Sequence, residues 1–209
     1  MRINEKVERV IAYIDGFNLY FGIRDKGWKR YYWLNVQKLV KCLLKEHQTL
    51  ECTKYFTSRV MDNPKKQERQ NVFLDALKTL SDFEILYGKY IINKRTCKNC
   101  QSVMNIPNEK MTDVNIATEM LTDVFQDRCD TVMLISADSD LKGPLTTIRN
   151  LFPDKRIIVA FPPKRRSWDL QNISHGFISI GENEIRNSQF SDEVVTMKGY
   201  ILRRPNEWK

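Results

Sequence analysis

The chain has 209 residues, 42% of them hydrophobic, and its 34 lysines and arginines against 26 acidic residues give a formal net charge of +8. That is enough apolar material for one domain with a substantial core. The apolar runs are only strand-sized, which excludes a membrane-spanning helix and argues against a signal peptide. Five cysteines, an odd number spread through regular-looking segments, fit a reducing cytoplasmic compartment better than a disulfide framework, and the positive balance favours an anionic partner such as nucleic acid.

In chain order, Val10–Ile14 is a β-branched and aromatic run that reads as a strand, with Asp15-Gly16 turning into a helix. Val36, Leu39, Val40, Leu43 and Leu44 give helical spacing over 35–46, and 50–60 mixes Tyr, Phe and Thr in strand fashion. Asp62-Asn63-Pro64 opens a charged helix carrying Phe73, Leu77 and Leu80, since proline suits a first turn. Residues 84–95 read as extended, and the polar stretch near 94–111 as a protruding hairpin or loop. Ile116, Ala117, Met120, Leu121 and Val124 form one stripe of a helix over 112–127. A strand at 131–136, a helix at 140–151, a strand at 156–161, a helical turn near 167–173 and a strand near 177–180 follow. This alternation predicts a mainly parallel sheet covered on both faces, in one domain over 1–185, with 186–209 as an appendage.

The strands at 10–14 and 131–136 both run into carboxylates, Asp15 and the Asp138/Asp140 pair. Ligands of open α/β sheets bind beyond the carboxyl ends of strands, so these acids could share one edge. Asp113 tops the apolar stripe of its helix, where an acid needs a positive partner. A hard divalent cation with oxygen ligands is the economical one. Helix capping by Asp138, Thr112 or Asp113, and an ordinary turn at Asp15-Gly16, are the competing readings.

Three segments, Tyr13–Leu19, Lys110–Ala117 and Ile135–Leu141, occur in the order found in NYN domains, and the chain resembles the LabA-like branch of that family, within the PIN-like nuclease superfamily. Ala137 stands where the family more often has glycine, and Arg204–Trp208 resembles an ending of the same branch. The resemblance implies an α/β fold, a three-layer α/β/α sandwich with a mainly parallel sheet, and phosphodiester hydrolysis of RNA, single-stranded or structured, that uses Mg²⁺ or Mn²⁺ and leaves 5′-phosphates. Asp15 and Asp138 match the family's direct metal ligands. Asp113 and Asp140 match its other acidic positions, and Asn18 its polar companion. The chemistry needs such a cluster, because a phosphodiester anion repels an attacking hydroxide until its charge is offset.

Other features are less specific. Lys164, Arg165 and Arg166 follow a strand, so their charges should emerge on the acidic edge and contact substrate phosphates; Lys110 and Lys142 flank the acids and could do the same. A solvated charge run explains Lys164, Arg165 and Arg166 equally, and for Lys110 and Lys142 surface solvation is the safer reading. Trp28–Trp33 interleaves aromatic and basic residues, as a single-strand stacking surface or as packing over a helix end. Cys97 and Cys100 have zinc spacing but no second ligand pair, so zinc would need another chain of a homo-oligomer. Two other function classes stand beside the nuclease: a catalytically silent RNA-binding or scaffold module of the same fold, and a Toprim-like or phosphatase-like phosphotransfer enzyme. The last lacks the expected preceding glutamate, and has Phe17 where a phosphatase would carry a second aspartate.

Overall fold

A computed structural model of the protein describes residues 7–61, 63–96 and 100–209, the side chains of residues 90–96 and 104–109 excepted. Six strands build the main sheet: β1 (Glu8–Asp15), β2 (Gln48–Thr57), β3 (Phe83–Tyr87), β6 (Thr131–Ile135), β7 (Arg156–Phe161) and β8 (Gly176–Ser179). Between and after them lie α1 (Gly16–Asp25), α2 (Val36–Leu43), α3 (Pro64–Leu77), β4 (Lys89–Thr96), β5 (Val103–Lys110), α4 (Thr112–Phe125), α5 (Lys142–Leu151), α6 (Trp168–Ile173), α7 (Glu182–Asn187), β9 (Glu193–Val195) and β10 (Ile201–Arg203).

The main sheet is parallel throughout, in the order β3-β2-β1-β6-β7-β8. The chain therefore winds outward from β1 in one direction, returns to pair β6 with β1, and winds outward in the other. The gap between β1 and β6 is the topological switch point of the sheet. Because side chains alternate across a strand, Val10, Ala12 and Ile14 face one layer while Ile11 and Tyr13 face the other. The first layer is filled from Leu19 and Ile23 of α1, Leu39 of α2 and Leu74 and Leu77 of α3. The second is filled from Ile116, Met120 and Val124 of α4 and Leu145 and Ile148 of α5. The result is the expected three-layer α/β/α sandwich, with the core split by the sheet. Each of these fully buried side chains contributes about 1.5–3 kcal/mol.

Three features differ from expectation. The extended run over 84–95 is two strands: β3 joins the sheet, and after Gly88 the chain leaves to form the antiparallel β4–β5 hairpin, which starts at residue 89 and not near 94. A side chain at Gly88 would lie 2.6 Å from Thr112 Oγ1 and 2.8 Å from the Lys110 carbonyl, so glycine lets the two ends of the hairpin close over the start of α4. The boundary expected at 185–186 falls inside α7. Beyond it, Trp208 is 8% exposed and packs with Trp33 and Ala76 on the first layer. Trp33 is fully buried and donates Nε1–H to the Ser191 carbonyl at 2.7 Å, so the far end of the Trp28–Trp33 run is core. Among the described residues no helix is long and apolar enough to cross a membrane.

The second layer also encloses a charge. Lys54 of β2, almost fully buried, lies 2.6 Å from Asp123 Oδ2 and 2.6 Å from Glu119 Oε2, both on α4. Tyr13 donates to the same Asp123 oxygen at 2.7 Å, and Arg128 reaches Oδ1 at 3.2 Å. Asp123 is thereby paired and hydrogen-bonded on both oxygens, the condition under which a carboxylate survives burial.

Candidate active site at the switch point

Asp15 ends β1 and caps α1: its Oδ1 accepts the Asn18 backbone N–H at 2.9 Å. Gly16 makes this entry feasible, since a Cβ there would come within 2.7 Å of the Phe56 carbonyl at the end of β2. Across the switch point, Ser136 follows β6, is fully buried and donates Oγ–H to Asp15 Oδ2 at 3.0 Å. The same Oγ accepts the Asp138 backbone N–H at 3.1 Å, so one hydroxyl ties the two acidic segments together. Asn18 adds a second tie, its Oδ1 accepting the Ala137 N–H at 3.2 Å. Asp138 then caps the short 3₁₀ turn Ser139–Leu141, its Oδ1 accepting the Asp140 N–H at 3.0 Å. Capping and site-building are thus compatible. The backbone bonds fix one oxygen of each aspartate and so orient the rest of the carboxylate.

Asp113 enters from α4. The N-cap residue of that helix is Met111, with φ of 76°, and it makes no side-chain capping bond. Asp15, Asn18, Lys110, Thr112, Asp113, Asp138 and Arg165 line one cleft of about 170 Å³. Burial pushes the Asp15 carboxyl up to about 6 against the pull of its Asn18 and Ser136 hydrogen bonds, and the charges of Asp113 and Asp138 push the same way. Asp113 is also raised, by partial burial and then by Asp138 and Asp140. Three acids thus line one cleft, and the neighbouring carboxylate charges add to burial in disfavouring the ionised forms of Asp15 and Asp113. The donor set is all oxygen, which fits a hard divalent ion. Among the described residues no three His, Cys, Asp or Glu side chains form a ready-made cage. An ion here would keep water or substrate oxygens in part of its shell, as Mg²⁺ does when one or two carboxylates hold it.

The NYN domain family matches residues 9–181. The chain belongs to that family. NYN domains are a nuclease-type family of the PIN-like superfamily, and the parallel sheet with its acidic switch point is the architecture expected of one. A Pseudomonas putida protein, 6-hydroxy-3-succinoylpyridine 3-monooxygenase HspA, is 25% identical over 249 residues, covering 99% of this chain and 77% of that protein. A crystal structure of a Vibrio parahaemolyticus protein of unknown function has the same fold, with a TM-score of 0.57 and 18% identity over 88% of this chain and 98% of that one.

Within this NYN domain the remaining candidates separate. Arg165 reaches the cleft because Gly22 lets α1 approach the Pro162-Pro163 loop; a Cβ at Gly22 would lie 2.8 Å from the Pro163 carbonyl. Arg165 Nη2 meets Asp25 at 3.2 Å, while its Nε is buried without a hydrogen-bond partner among the described residues. Arg166 is turned away, donating to Gln171 and covering the rings of Trp168 and Phe177. Lys164 is exposed with φ of 57° and does not line the cleft. Lys142 is drawn to Asp169 at 2.5 Å, outside the cleft lining, and Asp140 acts on the site through its charge beside Asp113. Cys97 lies outside the described residues, and Cys100 Sγ is 3.0 Å from Ser102 Oγ. Ser136 carries a role that the sequence motifs had not assigned to it. Its position between the end of a buried strand and an acid was the available sign of a bridging role.

Proposed function

We propose that this NYN domain is a Mg²⁺- or Mn²⁺-dependent ribonuclease that hydrolyses phosphodiester bonds and leaves 5′-phosphates. The observation that carries the reading is the buried Asp15 carboxylate, raised to about 6 and facing Asp113 and Asp138 at the switch point. Asp15 and Asp138 would hold the ion, with Asp113 and Asp140 completing its shell through water. When bound, the metal supplies charge neutralisation on a nonbridging phosphate oxygen and lowers the pKa of water.

The chain's own residues do the rest. Ser136 and Asn18 hold the Asp15 carboxylate and the Ala137-Asp138 backbone, and the Asp140 N–H holds the Asp138 carboxylate, so no reorganisation is needed as charge develops. Asp113, at the rim with a raised pKa, is suited to orient an incoming water and accept its proton. Arg165 offers its guanidinium, and Lys110 its ammonium, to the phosphate entering the cleft. Free thiols at Cys42, Cys52 and Cys129 fit action in a reducing compartment such as the cytoplasm.

HspA carries the name of an oxygenase, but 25% identity does not transfer a reaction, and the acids at the switch point favour hydrolysis. The test is cleavage of single-stranded RNA by purified protein with Mn²⁺ and with EDTA, with product ends mapped, for wild type, Asp15→Asn and Asp138→Asn. Metal-dependent cleavage lost in both variants supports the reading. RNA bound but uncut with Mn²⁺ would mark a binding module of the same fold, and cleavage surviving both substitutions would overturn the assignment of the acids.

A further inference from the structure

A second concavity of about 510 Å³ lies against α1, on the side of the sheet facing α2 and α3. Its wall on α1 is built from Phe17, Tyr20, Phe21 and Arg24, which recur at helical spacing and so form one face. Tyr32 packs against this face, its ring 4.9 Å from that of Tyr20, and Trp208 meets Tyr32 edge-on at 5.8 Å. Phe17 and Phe21 also line the acidic cleft. The two spaces therefore share a wall only two residues beyond Asp15. Lys29 and Lys66, both exposed, add positive charge to the lining of the aromatic space.

Resting on the ribonuclease reading, we propose that the aromatic cavity receives one unpaired nucleobase of the RNA strand whose phosphate enters the acidic cleft, so that the enzyme selects single-stranded or flipped-out nucleotides. The continuity of the two spaces is what selects this occupant: phosphate and base are joined by one sugar, and here an acid cleft and an aromatic recess are joined by Phe17 and Phe21. Aromatic side chains take any base face without reading its edge, which makes the site tolerant of sequence and intolerant of pairing. Lys29 and Lys66 complement the neighbouring phosphates, which a neutral apolar ligand would leave unused. Tyr20 is 39% exposed, so its ring is accessible to an entering base without unfolding the wall.

The test uses full-length protein in EDTA, where chemistry is off, and short single-stranded RNA carrying 2-aminopurine at one position, scanned along the strand. Stacking in the cavity should quench the probe at one register and not at others. Tyr20→Ala should abolish that quench and weaken binding roughly tenfold, whereas Tyr20→Phe should retain both. An abasic nucleotide at the same register should weaken wild-type binding to a similar degree, an arm that needs no variant. Fully paired RNA should bind worse than the single strand. Equal quenching at all registers, unchanged affinity for the abasic strand, equal binding of the duplex, or no binding of RNA would each overturn the proposal. Metal-dependent cleavage with no base effect would leave the ribonuclease reading standing alone. A register-specific quench without cleavage would do the reverse.

Discussion

Replacing Asp15 with asparagine should stabilise the protein in EDTA while removing its activity. Asp15 is 5% exposed, and its carboxyl rises from the ordinary 3.8 to about 6 in the folded protein. That rise corresponds to about 3 kcal/mol disfavouring the folded, ionised state. The penalty is absent below the unfolded value of 3.8, grows as pH rises, and is complete above the folded value near 6. Asparagine removes it and keeps the cap, since its oxygen can still accept the Asn18 N–H. Its amide nitrogen would then face Ser136 Oγ, which has a second lone pair to accept with, so at most one hydrogen bond of about 1 kcal/mol is weakened. The net gain is about 2 kcal/mol at pH 7.5, or about 4–8 °C in melting temperature for a chain of this size. It should shrink towards zero near about pH 4. Saturating Mn²⁺ should reverse the order, because only wild type gains from binding, by about 2.7 kcal/mol at a hundredfold excess over Kd. The assay is thermal melting followed by circular dichroism across that pH range, with EDTA and with Mn²⁺. An asparagine variant that melts at or below wild type at pH 7.5 in EDTA would refute the account of a strained, repelling cluster.

Two further outcomes follow from the same geometry. Lys54→Met should leave the fully buried Asp123 with only Tyr13 and the half-exposed Arg128 as partners, costing about 3 kcal/mol in urea denaturation; a loss under about 1 kcal/mol would show that the ion pair is incidental. In RNA binding, Arg165→Ala should lower the slope of log K against log salt by about one contact, while Arg166→Ala, whose guanidinium is held by Gln171 and two rings, should leave it unchanged. Equal effects of the two arginines would contradict the placement of Arg165 in the cleft.

The sequence alone determined the elements whose signal is local. The run Val10–Ile14, the stripe Ile116–Met120–Val124 and the capped start at Asn63-Pro64 each announce a strand or helix through the spacing of neighbours, and their alternation implied a parallel sheet between helix layers. It also marked Asp15, Asp113, Asp138 and Asp140 as acids at element ends, three of which, Asp15, Asp113 and Asp138, the structure brings to one cleft. What only the tertiary structure decided are contacts between residues far apart in the chain. Pairing β1 with β6 puts Ser136 against Asp15, 121 positions away, and no local pattern carries that distance. The same holds for Lys54 and Asp123, which look like surface charges in sequence until β2 and α4 bury them together, and for Trp208, which folds back onto Trp33. Gly88 could not be recognised as the point where an extended run leaves the sheet, because that choice depends on the backbone of Lys110 and Thr112 arriving beside it. Periodicity reports which face of an element is apolar; which element covers that face is set by packing across the whole chain, and the site exists only once that packing is complete.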